Sequence, residues 1–233
     1  MKKNLIYKWL LIIFGSLSWL ITICKSGWMY SYGLGFWGAN GHDGVWHIAL
    51  AESLSKGSLN IPILAGYKLQ NYHIGFDLLM AFIHLVTRIS FADLYFRLFP
   101  LVFSIAIGYL VYGFVNNWQK SNIAAWLSVF LVYFGGSAAW ILGKGESAFW
   151  SQQAISTLIN PPFIFSLILM ILGLRHVEKL QQKYSVRSFL FSVLIFGILI
   201  EIKAYAGILS LGALFVSGIY IRVPASVLAL ISI

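Results

Sequence analysis

Residues 94–115 read LYFRLFPLVFSIAIGYLVYGFV, and Arg97 is the only charged residue in this stretch. A run of this length, folded as a helix, is long enough to cross a hydrocarbon core of roughly 30 Å. Lipid offers the backbone no hydrogen-bond partners, so a segment that satisfies its own backbone groups is required there. The stretch therefore predicts a transmembrane helix.

The rest of the chain has the same character. Of the 233 residues, 60% are apolar and 10% are charged, whereas a soluble domain carries charge on about a quarter of its residues. This composition argues against a soluble domain of any kind. Further apolar runs predict membrane spans at about residues 5–24, 123–142, 157–174, 189–202 and 204–221.

The predicted fold class is accordingly all-α, a polytopic transmembrane helix bundle that forms a single membrane domain over residues 1–233. Glu201 and Lys203 interrupt the long apolar stretch near its middle, which favours a tight hairpin between two short helices. Residues 224–233 begin another apolar run and stop inside it. We therefore expect a further span there and a chain that is truncated at its C-terminus.

The N-terminal segment predicts a retained membrane anchor. Lys2, Lys3 and Lys8 accompany its apolar stretch, and no small-x-small cleavage pattern follows. Such an anchor has a cytoplasmic N-terminus. The single cysteine, Cys24, excludes an intramolecular disulfide and a cysteine-based metal cage.

Residues 73–87 predict an amphipathic helix rather than a span. At 100° per residue, His73, Asp77, His84 and Arg88 form one stripe, with apolar residues opposite. Such a helix suits the membrane interface. Treating it as non-spanning leaves an outer loop over residues 25–93 and puts the later basic residues on the side of the N-terminal lysines: Lys120, Arg175, Lys179, Lys183, Arg187 and Arg222.

This distribution follows the positive-inside rule and accounts for the formal charge of +9. It predicts a multi-pass cell-membrane protein. It also removes the reason to expect nucleic acid as a partner, which the net charge alone would suggest.

The outer loop collects polar residues that can carry chemistry. Four of the five histidines of the chain lie within it. If residues 41–55 are helical, Asp43 and His47 lie one turn apart on one face, a spacing that binds a metal ion or positions a base. A second interpretation stays open here, because any loop in water collects polar residues.

Other candidate residues lie at the predicted outer ends of helices. Arg97 and Lys203 are placed to meet an anionic group at the membrane surface, although both side chains are also of a kind that snorkels. Glu146 is an isolated carboxylate in the predicted outer loop 143–160. Asn160, followed by two prolines, predicts the start of the next helix.

The order of these elements resembles a known family. The resemblance runs from the first helix through Gly41-His42-Asp43-Gly44 and His47, then Asn71-Tyr72-His73 and the amphipathic helix, to Arg97-Leu98-Phe99-Pro100. It is similar to the N-terminal part of the polyprenyl-phosphate-sugar-dependent glycosyltransferases of the C-type (GT-C) superfamily, which includes protein O-mannosyltransferases and lipid A aminoarabinose transferases. The resemblance covers residues 1–120 and is one of architecture more than of motif.

The resemblance implies an enzyme that transfers a hexose or pentose. Its donor would be a lipid-linked sugar and its acceptor is unknown. In this reading Asp43 matches the essential acidic residue of the first outer loop, as base or as partner of a divalent metal cation together with His47. Gly44 departs from the frequent Asp-Glu pair.

The same resemblance makes Glu146 the second acidic residue. Arg97, Lys203 and His73 are the residues predicted to bind the donor. Two alternatives remain, a transporter or flippase-like protein and an inactive fragment that only packs in the lipid bilayer.

Overall fold

The computed structural model describes residues 2–36, 38–136 and 152–221. The chain is mostly helical, so the all-α prediction is confirmed at this level. The helices are α1 (Lys2–Ile23), α2 (Asp43–Ser55), α3 (Gly75–Thr87), α4 (Phe91–Asp93), α5 (Phe99–Gln119), α6 (Asn122–Phe134), α7 (Gln153–Leu158), α8 (Pro161–Gln182), α9 (Val186–Ile202) and α10 (Ala204–Ile221).

A small antiparallel hairpin follows α1, and the sequence did not predict it. Strand β1 (Trp28–Tyr30) pairs with β2 (Gly33–Gly35), with Trp28 opposite Gly35. Gly33 has φ = 114°, a conformation that glycine adopts without a steric penalty, so the hairpin turns there. A short 3₁₀ turn, Gly38–Gly41, then leads into α2.

Residues 91–119 form one continuous helix in which α4 and α5 are joined by a π-helical turn, Leu94–Leu98. In the part of the chain that the structure describes, this helix and Leu5–Ile23 of α1 are long and apolar enough to cross a membrane, by length and composition alone. Shorter apolar helices are Gly75–Thr87, Asn122–Phe134 and Ala204–Gly218.

Helix ends follow local sequence signals. Ser121 and Ser185 cap α6 and α9 by accepting hydrogen bonds from the backbone N–H groups of Ala124 and Ser188. Helix α8 begins with two prolines, as expected of a first turn that needs no N–H donors. Lys203 separates α9 from α10 at the position where the sequence predicted a hairpin.

The predicted span at 123–142 corresponds to α6 as far as Phe134, and residues 137–142 lie outside the described residues. The predicted span at 157–174 begins within α7 and continues in α8. The predicted spans at 189–202 and 204–221 fall on α9 and α10. The predicted start of a further span, 224–233, also lies outside the described residues.

The chain divides into two compact units. The first contains Met1–Tyr72 and Asp77–Ile164. At its centre α1, α5 and α6 meet around Tyr133, whose ring occupies a notch left by Gly15 and Gly108. A Cβ atom at Gly15 would lie 2.3 Å from the Tyr133 ring, and one at Gly108 would lie 2.1 Å from the Tyr133 hydroxyl oxygen. Small residues thus allow these three helices to approach closely.

The polar groups of this notch are satisfied within it. The Tyr133 hydroxyl donates to the carbonyl oxygen of Ser104 at 2.6 Å and lies 3.2 Å from the Ser16 hydroxyl. The Trp19 indole N–H donates to the main-chain carbonyl of Tyr133 at 2.8 Å. We refer to Ser16, Trp19, Ser104 and Tyr133 as the Tyr133 cluster.

The second unit contains His73–Phe76 and Phe165–Ile233. Helices α8, α9 and α10 contribute an apolar cluster to its core. The buried residues of this cluster are Val177, Phe196, Leu199, Ala206, Leu211 and Leu214.

Candidate functional site

Asp43 is the first residue of α2, so the condition under which the sequence places Asp43 and His47 one helical turn apart is met. Its side chain is 39% exposed, and its Oδ1 atom lies 2.9 Å from Nδ1 of the exposed His42. A carboxylate at a helix N-terminus is favoured by the unpaired N–H groups of the first turn. The site thus begins with a half-exposed carboxylate in a position that favours its charged form.

Asn160 holds the other oxygen of this carboxylate. Its side-chain amide donates to Oδ2 of Asp43 at 3.1 Å, across 117 residues of sequence. Asn160 directly precedes α8, so the residue before the start of α8 orients Asp43, the first residue of α2.

These contacts set the charge of Asp43. Burial of Asp43 would raise its pKa, but the hydrogen bonds with His42 and Asn160 and the electrostatic interactions with His47 and His42 outweigh that effect. The pKa of Asp43 is therefore lowered from its usual value. The carboxylate is ionised at neutral pH and oriented by two neighbours.

His47 lies one helical turn from Asp43 and forms a buried pair with Asp77. The His47 Nδ1 and Asp77 Oδ1 atoms are 2.8 Å apart, and the side chains are 3% and 0% exposed. The imidazole also stacks on Tyr95, with ring centroids 5.7 Å apart. Burying ionisable groups costs free energy even when they are paired. The presence of such a pair in an apolar helical protein therefore suggests that the pair has a function.

Trp46 and Tyr72 border the site. The Trp46 indole N–H donates to the Tyr72 hydroxyl at 2.9 Å, and the rings meet edge to face. Burial raises the pKa of Tyr72; the Trp46 hydrogen bond opposes that rise, while the negative charges of Asp77 and Asp43 add to it. The pKa is raised overall, so the Tyr72 hydroxyl stays protonated and remains a hydrogen-bond donor at neutral pH.

The sequence predicted a metal ion at Asp43 and His47. Bonding of Nδ1 to a carboxylate is the arrangement that orients histidines whose Nε2 atom binds a metal. Within residues 2–36, 38–136 and 152–221, no group of three His, Cys, Asp or Glu side chains is placed to hold a metal ion. Magnesium is often held by one or two carboxylates together with substrate phosphates, and a divalent cation therefore stays a prediction.

Arg97 has partners within the protein. Its guanidinium binds Asp93 through Nε, while Nη1 donates to the carbonyl oxygens of Cys24 and Ser26 at 2.9 and 2.8 Å. The side chain thereby fastens the turn that follows α1 and lies 5.9 Å from the centre of the Trp28 ring. These contacts explain its position structurally, and binding of a lipid phosphate by Arg97 stays a prediction.

The remaining predicted site residues lie elsewhere in the chain. His73 and Lys203 belong to the second unit. Lys203 lies between α9 and α10, with its ammonium group 5.7 Å from the centre of the Tyr205 ring. Glu146 lies outside the described residues. Of the predicted set, the structure brings together Asp43 and His47.

Asp77, Asn160, Trp46 and Tyr72 complete the site and were not assigned to it from the sequence. A partial signal for Asp77 was present in the sequence, because helical periodicity places Asp77 on the same polar stripe as His84. That stripe was assigned to an interface. The structure buries Asp77 and exposes apolar residues of α3, among them Phe82 and Val86 at 64% and 68%.

The chain was compared with protein-family models, with curated proteins and with solved structures, and none of the three comparisons gives a match.

Proposed function

We propose that this protein is a membrane glycosyltransferase that transfers a sugar from a polyprenyl-phosphate donor to an acceptor at the outer face of the cell membrane. The observation that carries the proposal is the half-exposed, ionised carboxylate of Asp43, oriented by Asn160 and set one helical turn from the buried His47–Asp77 pair. Asp43 is also the position that matches the family's acidic residue in the resemblance described above.

Exposed apolar faces support the membrane placement. On α1 the exposed residues recur every three or four positions, as on one side of a helix: Leu10 56%, Ile13 48%, Phe14 66%, Leu17 48% and Ile21 68%. Helix α10 repeats the pattern with Ile208 64%, Leu209 67% and Val216 65%. Apolar patches on this scale are unfavourable in water but match the acyl chains of a bilayer. The outward apolar face of α3 fits a helix that lies in the membrane interface.

The proposed chemistry is a substitution at the anomeric carbon of the donor sugar. The acceptor hydroxyl oxygen forms a bond to this carbon, and the bond to the phosphate oxygen breaks, with its electron pair leaving on the lipid phosphate. The acceptor proton goes to Asp43 as general base. A hydroxyl becomes more acidic as its oxygen bonds to the sugar, so a carboxylate with a lowered pKa is basic enough at that stage.

A divalent cation, if bound at Asp43 and His47, would neutralise charge on the leaving phosphate. The chain's own residues have separate tasks. Asn160 and His42 orient the Asp43 carboxylate, and Asp77 holds the imidazole of His47 in one orientation. The Tyr72 hydroxyl is a donor beside these groups. His73, Arg97 and Lys203 remain the proposed contacts of the donor, and Glu146 the proposed second carboxylate.

The test uses the full chain, purified and reconstituted in lipid, with a polyprenyl-phosphate sugar titrated into wild type and Asp43→Asn. We expect both to bind the donor, and the variant to lose about 10²- to 10⁴-fold in sugar transfer or release, the range that a general base supplies. Glu52→Gln is a matched control, because Glu52 is an exposed carboxylate on the same helix, where it pairs with Lys56.

Equal transfer rates for Asp43→Asn and wild type would refute the assignment of Asp43. Failure of the wild type to bind the donor would refute the glycosyltransferase itself.

One observation favours a second candidate, a transporter or flippase-like protein. Buried ionisable pairs such as His47–Asp77 also occur in proton relays of transport proteins. A flux assay in sealed vesicles separates the two. Proton-coupled movement of a lipid-linked sugar without its hydrolysis or transfer would favour transport.

A further inference from the structure

The second unit carries a group of basic side chains where α8 ends and α9 begins. Arg175 and Lys179 are four residues apart, so they lie along one side of the last turns of α8. Lys183 follows directly after this helix, and its backbone N–H donates to the carbonyl oxygen of Lys179 at 2.9 Å. Arg187 is the second residue of α9. We call these four residues the basic cluster.

His176 shows that the two helices bring these charges together. Its ring stacks on Phe191 of α9, with centroids 5.5 Å apart and planes 14° apart. Burial lowers the pKa of His176, and the charges of Lys179, Arg175 and Arg187 lower it further. Cations from both helices therefore surround one imidazole, and Arg187 also lies 5.7 Å from the centre of the Phe191 ring.

The basic cluster is not neutralised within the described chain. No member forms an ion pair with an acidic side chain in the ranges that the structure describes, and Glu178, the nearest in sequence, is no exception. The C-terminus of α8 offers only about half a negative charge. Four positive charges against that half charge and the single negative charge of Glu178 still leave an excess of about two to three positive charges, which an anion from outside the chain would offset.

Exposed apolar residues continue directly from the basic cluster. Along α9, Phe191, Leu194 and Ile198 are 41%, 55% and 43% exposed and recur at helical spacing. Tyr184, between the two helices, is 63% exposed, as is typical of an aromatic residue at the level of the lipid head groups. The surface is therefore amphiphilic, with cations at one end and an apolar stripe leading away from them.

We propose that this surface binds an anionic phospholipid, with its phosphate at the basic cluster and an acyl chain along Phe191, Leu194 and Ile198. Charge complementarity selects the head group, and the adjoining apolar stripe selects a lipid over a free anion. The inference rests on the membrane placement proposed above but not on glycosyl transfer, so it can fail or succeed independently of the enzyme.

The experiment measures the thermal unfolding of the full chain in neutral detergent during titration with short-chain phosphatidylglycerol, phosphatidylcholine or inorganic phosphate. We expect phosphatidylglycerol alone to raise the midpoint in a saturable way, because a ligand that binds only the folded state stabilises it. A similar rise with phosphatidylcholine would overturn the charge selection. A similar rise with inorganic phosphate would overturn the assignment to a lipid.

The test variant is Lys179→Gln combined with Arg187→Gln. Each basic residue beside an anionic membrane surface is worth about a fivefold change in affinity, so the double variant should bind phosphatidylglycerol roughly 25-fold more weakly. Lys25→Gln combined with Lys68→Gln is the control, because it removes the same charge at exposed positions of the first unit. If both double variants bound phosphatidylglycerol equally weakly, the effect would depend on net charge alone, and the proposed site would be overturned.

A single variant tests the apolar stripe. Leu194→Asn should weaken phosphatidylglycerol binding while leaving its preference over phosphatidylcholine intact, because the cations are unchanged. Unaltered binding in Leu194→Asn would contradict a bound acyl chain. Donor binding and sugar transfer, measured on the same samples, report on the proposed function separately.

Discussion

The first unit contains two polar groupings of opposite design. In the Tyr133 cluster every group is neutral, and the Tyr133 side chain, which is 3% exposed, meets its partners at 2.6 to 3.2 Å. The grouping around Asp43 and His47 consists of ionisable side chains and extends from the fully buried Asp77 to a half-exposed carboxylate. One grouping is closed, and the other reaches the surface.

The difference fits a structural role for the Tyr133 cluster and the proposed catalytic role for the grouping around Asp43 and His47. A neutral, fully hydrogen-bonded cluster specifies how helices pack at little electrostatic cost. Buried charges cost far more and are retained in apolar proteins chiefly where they perform a function. Variants in the two groupings should therefore differ in kind. Changes near Tyr133 should alter stability alone, and changes near Asp43 should also alter ionisation and activity.

The largest loss of stability is expected for Asp77→Ala. It leaves the buried imidazole of His47 without its carboxylate partner and should cost about 3–5 kcal/mol. Asp93→Ala is the comparison, because Asp93 is 51% exposed in its pair with Arg97 and such pairs are worth about 0–1 kcal/mol. Denaturant unfolding in detergent measures both. Similar losses would mean that the His47–Asp77 pair is not buried as described.

Gly108→Ala should have the next largest effect and should act only on packing. The new methyl group would lie 2.1 Å from the Tyr133 hydroxyl oxygen, so the helices must shift, at a cost of about 1–3 kcal/mol. Gly212→Ala is the matched control, since a Cβ atom there meets nothing within 4 Å and should stabilise the helix by up to about 1 kcal/mol. If the two substitutions changed the free energy of unfolding in the same direction, this would argue against a tight notch at Gly108.

Tyr133→Phe removes the hydroxyl but keeps the ring in its notch. We expect a loss of about 0.5–1.5 kcal/mol, the usual net value of a hydrogen bond. The bond from Trp19 goes to the main-chain carbonyl and should survive. The rate of sugar transfer per folded molecule should be unchanged. A loss of activity larger than the fraction of unfolded protein explains would contradict the distinction between the two groupings.

Asn160→Ala should change stability least and pH dependence most. A hydrogen bond that lowers the pKa of Asp43 is lost, so this pKa should rise and the acid limb of the activity profile should move to higher pH. Because the folded-state pKa of Asp43 is lowered, its contribution to stability is present above the unfolded pKa. That contribution is lost as pH falls through the folded pKa.

The stability difference between wild type and Asn160→Ala should therefore be largest at neutral pH and vanish in acid. Unfolding measured across a pH series checks this, with Tyr133→Phe as the control whose deficit should not depend on pH. A constant deficit in Asn160→Ala would show that Asn160 does not stabilise the charged form of Asp43.

Local features of this chain could be predicted, because they depend on neighbours in sequence. The start of α8 at Pro161 follows from residue type, because prolines suit the first turn of a helix. The hairpin after α1 could not be predicted, because its two strands are three residues long and carry no alternating pattern. Two of the intrachain partners of Arg97 were equally hidden, since they are main-chain carbonyls of a turn 71 and 73 residues away.

The sequence by itself determined that the chain is helical, that its helices are apolar, and that Asp43 and His47 share a face wherever their segment is helical. Only the tertiary structure decided that Asp77 pairs with His47 across 30 residues and that Asn160 holds Asp43 across 117. Helical spacing is a property of consecutive residues, whereas the meeting of distant side chains depends on how whole helices pack. Periodicity alone does not show whether Asp77 faces water or a buried histidine.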